Sequence, residues 1–236
     1  MNRDYIEWHS PSLNRKMEFL WFGHAGRPVI LFPTSAGKFW ENEDFGLVDS
    51  VADKVDRGEI QVVCVDTVNH ESWFNKRIHP ADRVRRHAQY DHYLRWELIP
   101  YIENRAGMDG VIVYGASFGA YHASNFAARY PDTIGRAICF SGVYDIHDFL
   151  DGYWNDDCYF NCPVAFIPNM NEHTCNMMST VDWIVATGEY DMLVNTNRQF
   201  AGMLGSKGIR HYLELWPGQF GHDWPWWREH LRRFVP

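Results

Sequence analysis

The sequence predicts an α/β fold in which a doubly wound, mostly parallel sheet follows an N-terminal antiparallel hairpin. Two patterns carry this expectation. Short apolar runs at 28–32, 60–66, 111–114, 136–141 and 181–187 are bounded by turn signals and read as strands covered on both faces. Segments of helical periodicity alternate with them along the whole chain. A third observation sets the scale. With 236 residues, 46% hydrophobic and 22% charged, the chain suits one such domain around one large core.

In chain order, residues 5–9 and 16–22 read as the two hairpin strands, joined by Ser10-Pro11-Ser12-Leu13-Asn14. The strand at 28–32 runs into a small-residue loop, Pro33-Thr34-Ser35-Ala36-Gly37. A helix is expected over 43–57, with Leu47, Val48, Val51 and Val55 on one face and Gly58 closing it. After strand 60–66 comes the loop that carries Trp73 and Phe74. Loops at strand C-termini line the ligand crevice of open α/β sheets, so these rings are candidate pocket walls, with plain packing as the alternative.

Pro80 starts a long helix to about Ala106, with Val84, His87, Asp91, Leu94, Leu98 and Tyr101 in near-heptad spacing. Arg83, Arg85, Arg86 and Arg95 are interleaved with Asp82, Asp91 and Glu97, which reads as a solvated, salt-bridged face. A further helix is expected over 118–129. Residues 142–180 have no clear periodicity and form an insertion of loops or short helices over the site, with Phe149, Tyr153 or Trp154 facing it. Cys158, Cys162, His173 and Cys175 fall inside this stretch. Their spacing matches no standard zinc pattern, so inert thiols are expected and no metal or organic cofactor. A helix at 196–207, a strand at 211–216 and a helix at 225–234 complete the chain.

A net charge of −8 argues against nucleic acid and anionic membrane surfaces as partners. No apolar run approaches the roughly 18 residues of a membrane helix. Five cysteines, an odd number, and no signal segment near the start suggest a reducing, cytoplasmic setting. The 11 Trp, 12 Tyr and 15 Phe hint at a pocket lined by rings.

The chemistry concentrates at Gly115-Ala116-Ser117-Phe118-Gly119, set between an apolar strand and a helix. That order fits a nucleophile elbow: a sharp, strained turn presents Ser117, and two glycines let strand and helix pack closely around it. A serine hydroxyl needs a base to become nucleophilic, and the base needs a carboxylate to orient it. Asp191 lies just past strand 181–187 and His222 just past strand 211–216, which satisfies the order Ser, acid, His with both partners on strand-end loops. Rival acids are Asp145, Glu189 and Asp223. Rival histidines are His122, beside the nucleophile, and His230, on a helix. The N–H groups of Phe118 and Ser35 are the candidate oxyanion donors. Tyr121, Trp154 and Trp224 join Trp73 and Phe74 as candidate walls of the substrate pocket.

With these residues in place, the chain resembles the α/β-hydrolase superfamily over nearly its whole length. Within it, the chain is similar to the putative-esterase branch of esterase D-like enzymes, S-formylglutathione hydrolases and mycolyltransferases. The resemblance rests on the Phe32-Pro33-Thr34-Ser35 loop, the 115–119 elbow, Gly188–Asp191 and Gly221-His222-Asp223-Trp224. It implies Ser117, Asp191 and His222 as a triad acting on a small-molecule ester through an acyl-enzyme. The chain departs from its relatives at Ala116 and Phe118, where S-formylglutathione hydrolases commonly carry His and Met, and in lacking a His-Gly pair before the oxyanion loop. The expectation is a serine carboxylesterase for small to medium acyl esters. Acyl transfer, an S-formylglutathione hydrolase-like thioesterase and a catalytically silent binding protein stand as alternatives, and the sequence leaves oligomeric state open.

Overall fold

Eight strands form one sheet in the order β1-β2-β4-β3-β5-β6-β7-β8. The computed structural model describes residues 1–236. The strands are β1 (Arg3–Ser10), β2 (Arg15–Phe22), β3 (Arg27–Phe32), β4 (Ile60–Val65), β5 (Val111–Ala116), β6 (Ile134–Phe140), β7 (Asp182–Gly188) and β8 (His211–Trp216). β1 pairs antiparallel with β2 in the register Arg3↔Phe22 to Ser10↔Arg15, and β2 pairs antiparallel with β4. All other neighbours are parallel. The strand order turns back between β3 and β5, and ligands of open α/β sheets bind at such a switch point.

Helices cover both faces, which explains why every residue of β4 and β5 is buried. The imperfect alternation in β2 has the same cause. Phe19 and Trp21 enter one core, with Val63, Val113, Leu98 and Ile102, while Leu20 and Phe22 enter the other, with Val62, Ile112, Trp216 and Leu231.

The helices are α1 (Glu41–Asp44), α2 (Ala52–Asp56), α3 (Pro80–Tyr93), α4 (Ile99–Ala106), α5 (Phe118–Arg129), α6 (Asp156–Phe160), α7 (Pro163–Phe166), α8 (Glu172–Met178), α9 (Val194–Ser206) and α10 (Trp224–Phe234). Two helices expected as single pieces are divided. The 43–57 segment becomes α1, a 3₁₀ turn at Asp49–Val51, and α2, because Gly46 adopts φ +71° and leaves the helical region. Leu47, Val48, Val51 and Val55 are nonetheless all buried. The 80–106 helix holds a π turn, Leu94–Leu98, between α3 and α4. Pro100 has no N–H to donate and its ring would press on the carbonyl four residues back, so the wider turn accommodates it. Gly107, at φ +68°, caps α4.

The 142–180 insertion is a series of short pieces: 3₁₀ turns at His147–Phe149 and Ile167–Asn169, with α6, α7 and α8. Asn155 and Asn171 cap α6 and α8 by accepting from the N–H groups of Cys158 and Thr174. All five cysteines are buried and unpaired. No helix is long and apolar enough to cross a membrane.

One side chain of the helical layer makes three bonds to the hairpin. Glu97, in the π turn, accepts from Ser10 Oγ (2.9 Å), Ser12 N (3.0 Å) and Trp8 Nε1 (3.2 Å). Glu97→Ala strands these donors and should cost about 1–3 kcal/mol of stability, read as a lower urea midpoint with an unchanged slope.

Candidate active site

Ser117 occupies φ +55°, ψ −121°, a conformation that costs a non-glycine residue about 1–3 kcal/mol. Neighbouring backbone holds it there. Its N–H donates to Phe140 O (2.9 Å), and its carbonyl accepts from Val143 N and Ala120 N (both 3.2 Å). The flanking glycines have a steric cause. A Cβ on Gly115 would lie 2.0 Å from the Gly119 carbonyl carbon, so α5 could not pack on its own strand. A Cβ on Gly119 would lie 2.8 Å from Pro33 O and 3.0 Å from Phe32 O. The end of β3 therefore sits directly against the start of α5, which brings the 33–37 loop beside Ser117.

That loop is ordered by Glu41, a residue the sequence reading did not single out. Its carboxylate accepts from Thr34 N (2.6 Å) and Thr34 Oγ1 (2.8 Å). Gly37 leaves room for it, since a Cβ there would meet the carboxyl carbon at 2.3 Å. Burial pushes the Glu41 carboxyl up, and the two Thr34 bonds only partly offset this. With Thr34 N–H occupied, the Ser35 N–H makes no bond within the chain. Phe118 opens α5, so its N–H has no intrahelical partner.

Asp191 and His222 come together across the ends of β7 and β8. His222 Nδ1 lies 3.2 Å from Asp191 Oδ1, which leaves Nε2 free for another partner. The Asp191 side chain is fully buried and that of His222 is 23% exposed. Asp191 also accepts from Thr187 Oγ1 (2.7 Å) and Leu193 N (2.7 Å). Burial pushes its carboxyl up, but the bonds from His222, Leu193 and Thr187 outweigh this and hold it below the ordinary carboxylate value.

The approach of the two loops again depends on glycine. A Cβ on Gly188 would meet Gln219 O and Phe220 C at 2.5 Å, and one on Gly221 would meet Gly188 N at 2.2 Å. Gly221 also takes φ +75°. Ser141 joins this loop pair to the elbow. It lies one residue past Phe140, the acceptor of the Ser117 N–H, and its hydroxyl donates to Gly221 O (2.7 Å). Trp227 Nε1 donates to the same carbonyl at 3.0 Å. Ser141 follows a strand and precedes Gly142, a strand-end signal that could have marked it.

The rival residues are engaged elsewhere. Asp223 caps α10 through Trp224 N (2.7 Å), and Glu189 accepts from Gly218 N (3.0 Å). His230 stacks on Trp216 with ring centroids 4.0 Å apart. His122 is buried, bonded to Asn69 Oδ1 (2.9 Å) and pushed down to about 3 by burial. Asp145 is exposed beside His147.

Phe74 packs on Phe118 (4.9 Å) and Phe149 (5.3 Å), making a ring cluster at the start of α5. Two other candidate wall residues must be corrected. Trp73 and Tyr121 are wholly buried behind this cluster, and the Tyr121 hydroxyl donates to Asn161 O (2.9 Å) and pairs with His87 Nε2. They support the wall rather than line a surface. Trp154 is exposed and stacks on His147, and Trp224 stacks on Phe45. Side chains that the sequence reading missed stand around the histidine: the rings of Tyr190, Phe220 and Trp226, together with Met192, line with His222 a cleft of about 440 Å³. Tyr190, Met192 and Phe220 lie within one or two residues of Asp191 or His222, but their exposure is invisible in the sequence.

A family model described as Putative esterase matches residues 10–236. No curated protein matches. Among solved structures, a ferulic acid esterase is similar at a TM-score of 0.79 and 20% identity, covering 100% of this chain and 96% of that one. An S-formylglutathione hydrolase from Agrobacterium tumefaciens is similar at 0.76 and 15%, covering 98% and 92%. The S-formylglutathione hydrolase FrmB from Staphylococcus aureus is similar at 0.70 and 15%, covering 100% and 98%. At these identities the likeness establishes the α/β-hydrolase fold.

Two outcomes follow from this geometry. Gly188→Ala should force the β7 and β8 loops apart and lower ester kcat/KM by on the order of 10²-fold with far-ultraviolet circular dichroism unchanged, since displacements near 1 Å cost about that much. For Asp191 the folded value is depressed, so its stabilisation is complete above the unfolded value of about 3.9 and is lost as pH falls through the folded value. The gap in unfolding free energy between wild type and Asp191→Asn should therefore be constant from about pH 7 to about pH 5 and narrow below about pH 4, measured by urea titration.

Proposed function

The chain belongs to the Putative esterase family, and from that premise we propose a serine carboxylesterase in which Ser117, His222 and Asp191 act as the triad. The observation that carries the assignment is the 3.2 Å contact between His222 Nδ1 and the buried Asp191. It supports a tautomer with the proton on Nδ1 and a free Nε2 to act as base. The Ser117 hydroxyl attacks the ester carbonyl as its proton passes to His222 Nε2. The carbonyl oxygen becomes an oxyanion held by the N–H groups of Phe118 and Ser35. Collapse breaks the bond to the alcohol, which leaves with the proton from His222, and the acyl group stays on Ser117. Water then attacks the acyl-enzyme, giving its proton to His222, and the acid departs as Ser117 recovers its hydrogen.

Residues 1–236 act as one catalytic domain in this reading, with 142–180 contributing part of the pocket wall. The ring cluster of Phe74, Phe118 and Phe149 and the rings beside His222 favour short or aromatic acyl esters, in keeping with the ferulic acid esterase among the similar structures. Five buried, unpaired thiols support a reducing, cytoplasmic location.

Hydrolysis of p-nitrophenyl esters from acetate to decanoate, beside a feruloyl ester, tests this. Wild type should turn over the short and aromatic substrates, Ser117→Ala should lose about 10³–10⁶-fold in kcat, and Asp191→Asn about 10⁴-fold. A Ser117→Ala protein as fast as wild type would remove Ser117 from the mechanism.

A further inference from the structure

Outside this site, three side chains from two segments converge on one point. Asp145 and His147 lie in the loop after β6, and Cys162 is the residue before α7. His147 Nδ1 is 2.5 Å from Asp145 Oδ1, and Cys162 Sγ is 3.7 Å from that oxygen and 3.9 Å from that nitrogen. We propose that Asp145, His147 and Cys162 bind a divalent metal ion of zinc-like chemistry, pinning the loop after β6 to the α6–α7 segment of the insertion.

The arrangement is not that of a proton relay. A relay uses the two ring nitrogens in opposite directions, whereas here the carboxylate and the sulfur both face Nδ1. Tetrahedral zinc, with bonds of about 2.0–2.3 Å to O, N and S, separates its ligand atoms by roughly 3.3–3.6 Å. The two sulfur edges already lie near that range. The short nitrogen–oxygen edge is a hydrogen bond that would open by somewhat under 1 Å as the ion enters.

The surroundings suit an ion. Trp154 stacks on the His147 ring at 4.5 Å and 1°, fixing its plane. Without an ion, burial pushes the Cys162 thiol up to about 11, so the sulfur is protonated and inert near neutrality. Coordination releases that proton to water and moves the imidazole proton to Nε2. Asp145 and His147 are about half exposed, so an ion has an access path and a coordination position open to water.

Cysteine spacing could not reveal this set, because two of its three ligands are not cysteines. A site here would lie close to the nucleophile without touching it. Val143 donates to the Ser117 carbonyl, and Phe149 packs 5.2 Å from Phe118.

Zinc added to the intact chain in competition with a chromophoric chelator tests the proposal, with cobalt as the spectroscopic probe. Wild type should take up one equivalent and show a thiolate-to-cobalt charge-transfer band with d–d bands of tetrahedral intensity. Cys162→Ser should abolish the charge-transfer band, and His147→Gln and Asp145→Asn should each weaken zinc binding by at least about 10-fold. Zinc at about 100 times Kd should raise the Tm of wild type by about 5–10 °C and leave Cys162→Ser unmoved. Ser117→Ala should bind as wild type does, which separates this proposal from the esterase assignment. Binding no tighter than the chelator, an octahedral cobalt spectrum, or uptake that survives all three ligand variants would overturn it.

Discussion

Backbone pressed on backbone is the constraint on which the rest of the structure depends. Where β5 meets α5, and where the loops after β7 and β8 meet, there is no room for a single Cβ: carbonyls and amides occupy the space at 2.0–2.8 Å from where one would be. Gly115 and Gly119 set the elbow against the end of β3, and Gly188 and Gly221 set the Asp191 loop against the His222 loop. A methyl group at any of them would separate elements whose functional atoms must lie within hydrogen-bond reach. The strain stored at Ser117 is tolerated because the surrounding strands leave that residue no other position.

Around these contacts the polar groups are arranged so that burial does not neutralise the acid. Asp191 has no solvent access, and a carboxylate so placed is held ionised only by donors aimed at it. The Thr187 hydroxyl does that from the end of β7, the Leu193 N–H from the loop that follows, and His222 from the loop after β8. Ser141 links the acid–histidine pair to the elbow through Gly221 O, while Glu41 holds the opposite loop by Thr34. These residues do not react in the proposed mechanism, but they determine where the reacting groups sit.

The insertion behaves differently from the sheet. Its pieces are too short to be stable helices alone, and they hold together through asparagine caps and rings that pack on Phe118. Phe149 takes its place against Phe74, distant in sequence, while Trp154 and Cys162 take theirs against His147 and Asp145 elsewhere in the insertion. The division of two helices expected as single pieces has a local cause. Gly46 and Pro100 break the ladder locally, yet the apolar spacing on either side is kept because both halves pack on the same core.

By itself the sequence determined the order of strands and helices, the antiparallel hairpin and the three residues proposed to react. Each of these is written in short-range chemistry: β-branched runs, the Gly-x-Ser-x-Gly turn, and an acid and a histidine just past strand ends. The tertiary structure alone decided that Trp73 and Tyr121 are buried while Tyr190 and Phe220 stand open beside His222. It also brought Glu41, Ser141 and the Asp145–His147–Cys162 cluster to their partners. The physical reason is that exposure and ligand geometry depend on which distant segments pack together, and apolar periodicity marks a face as buried without naming what covers it.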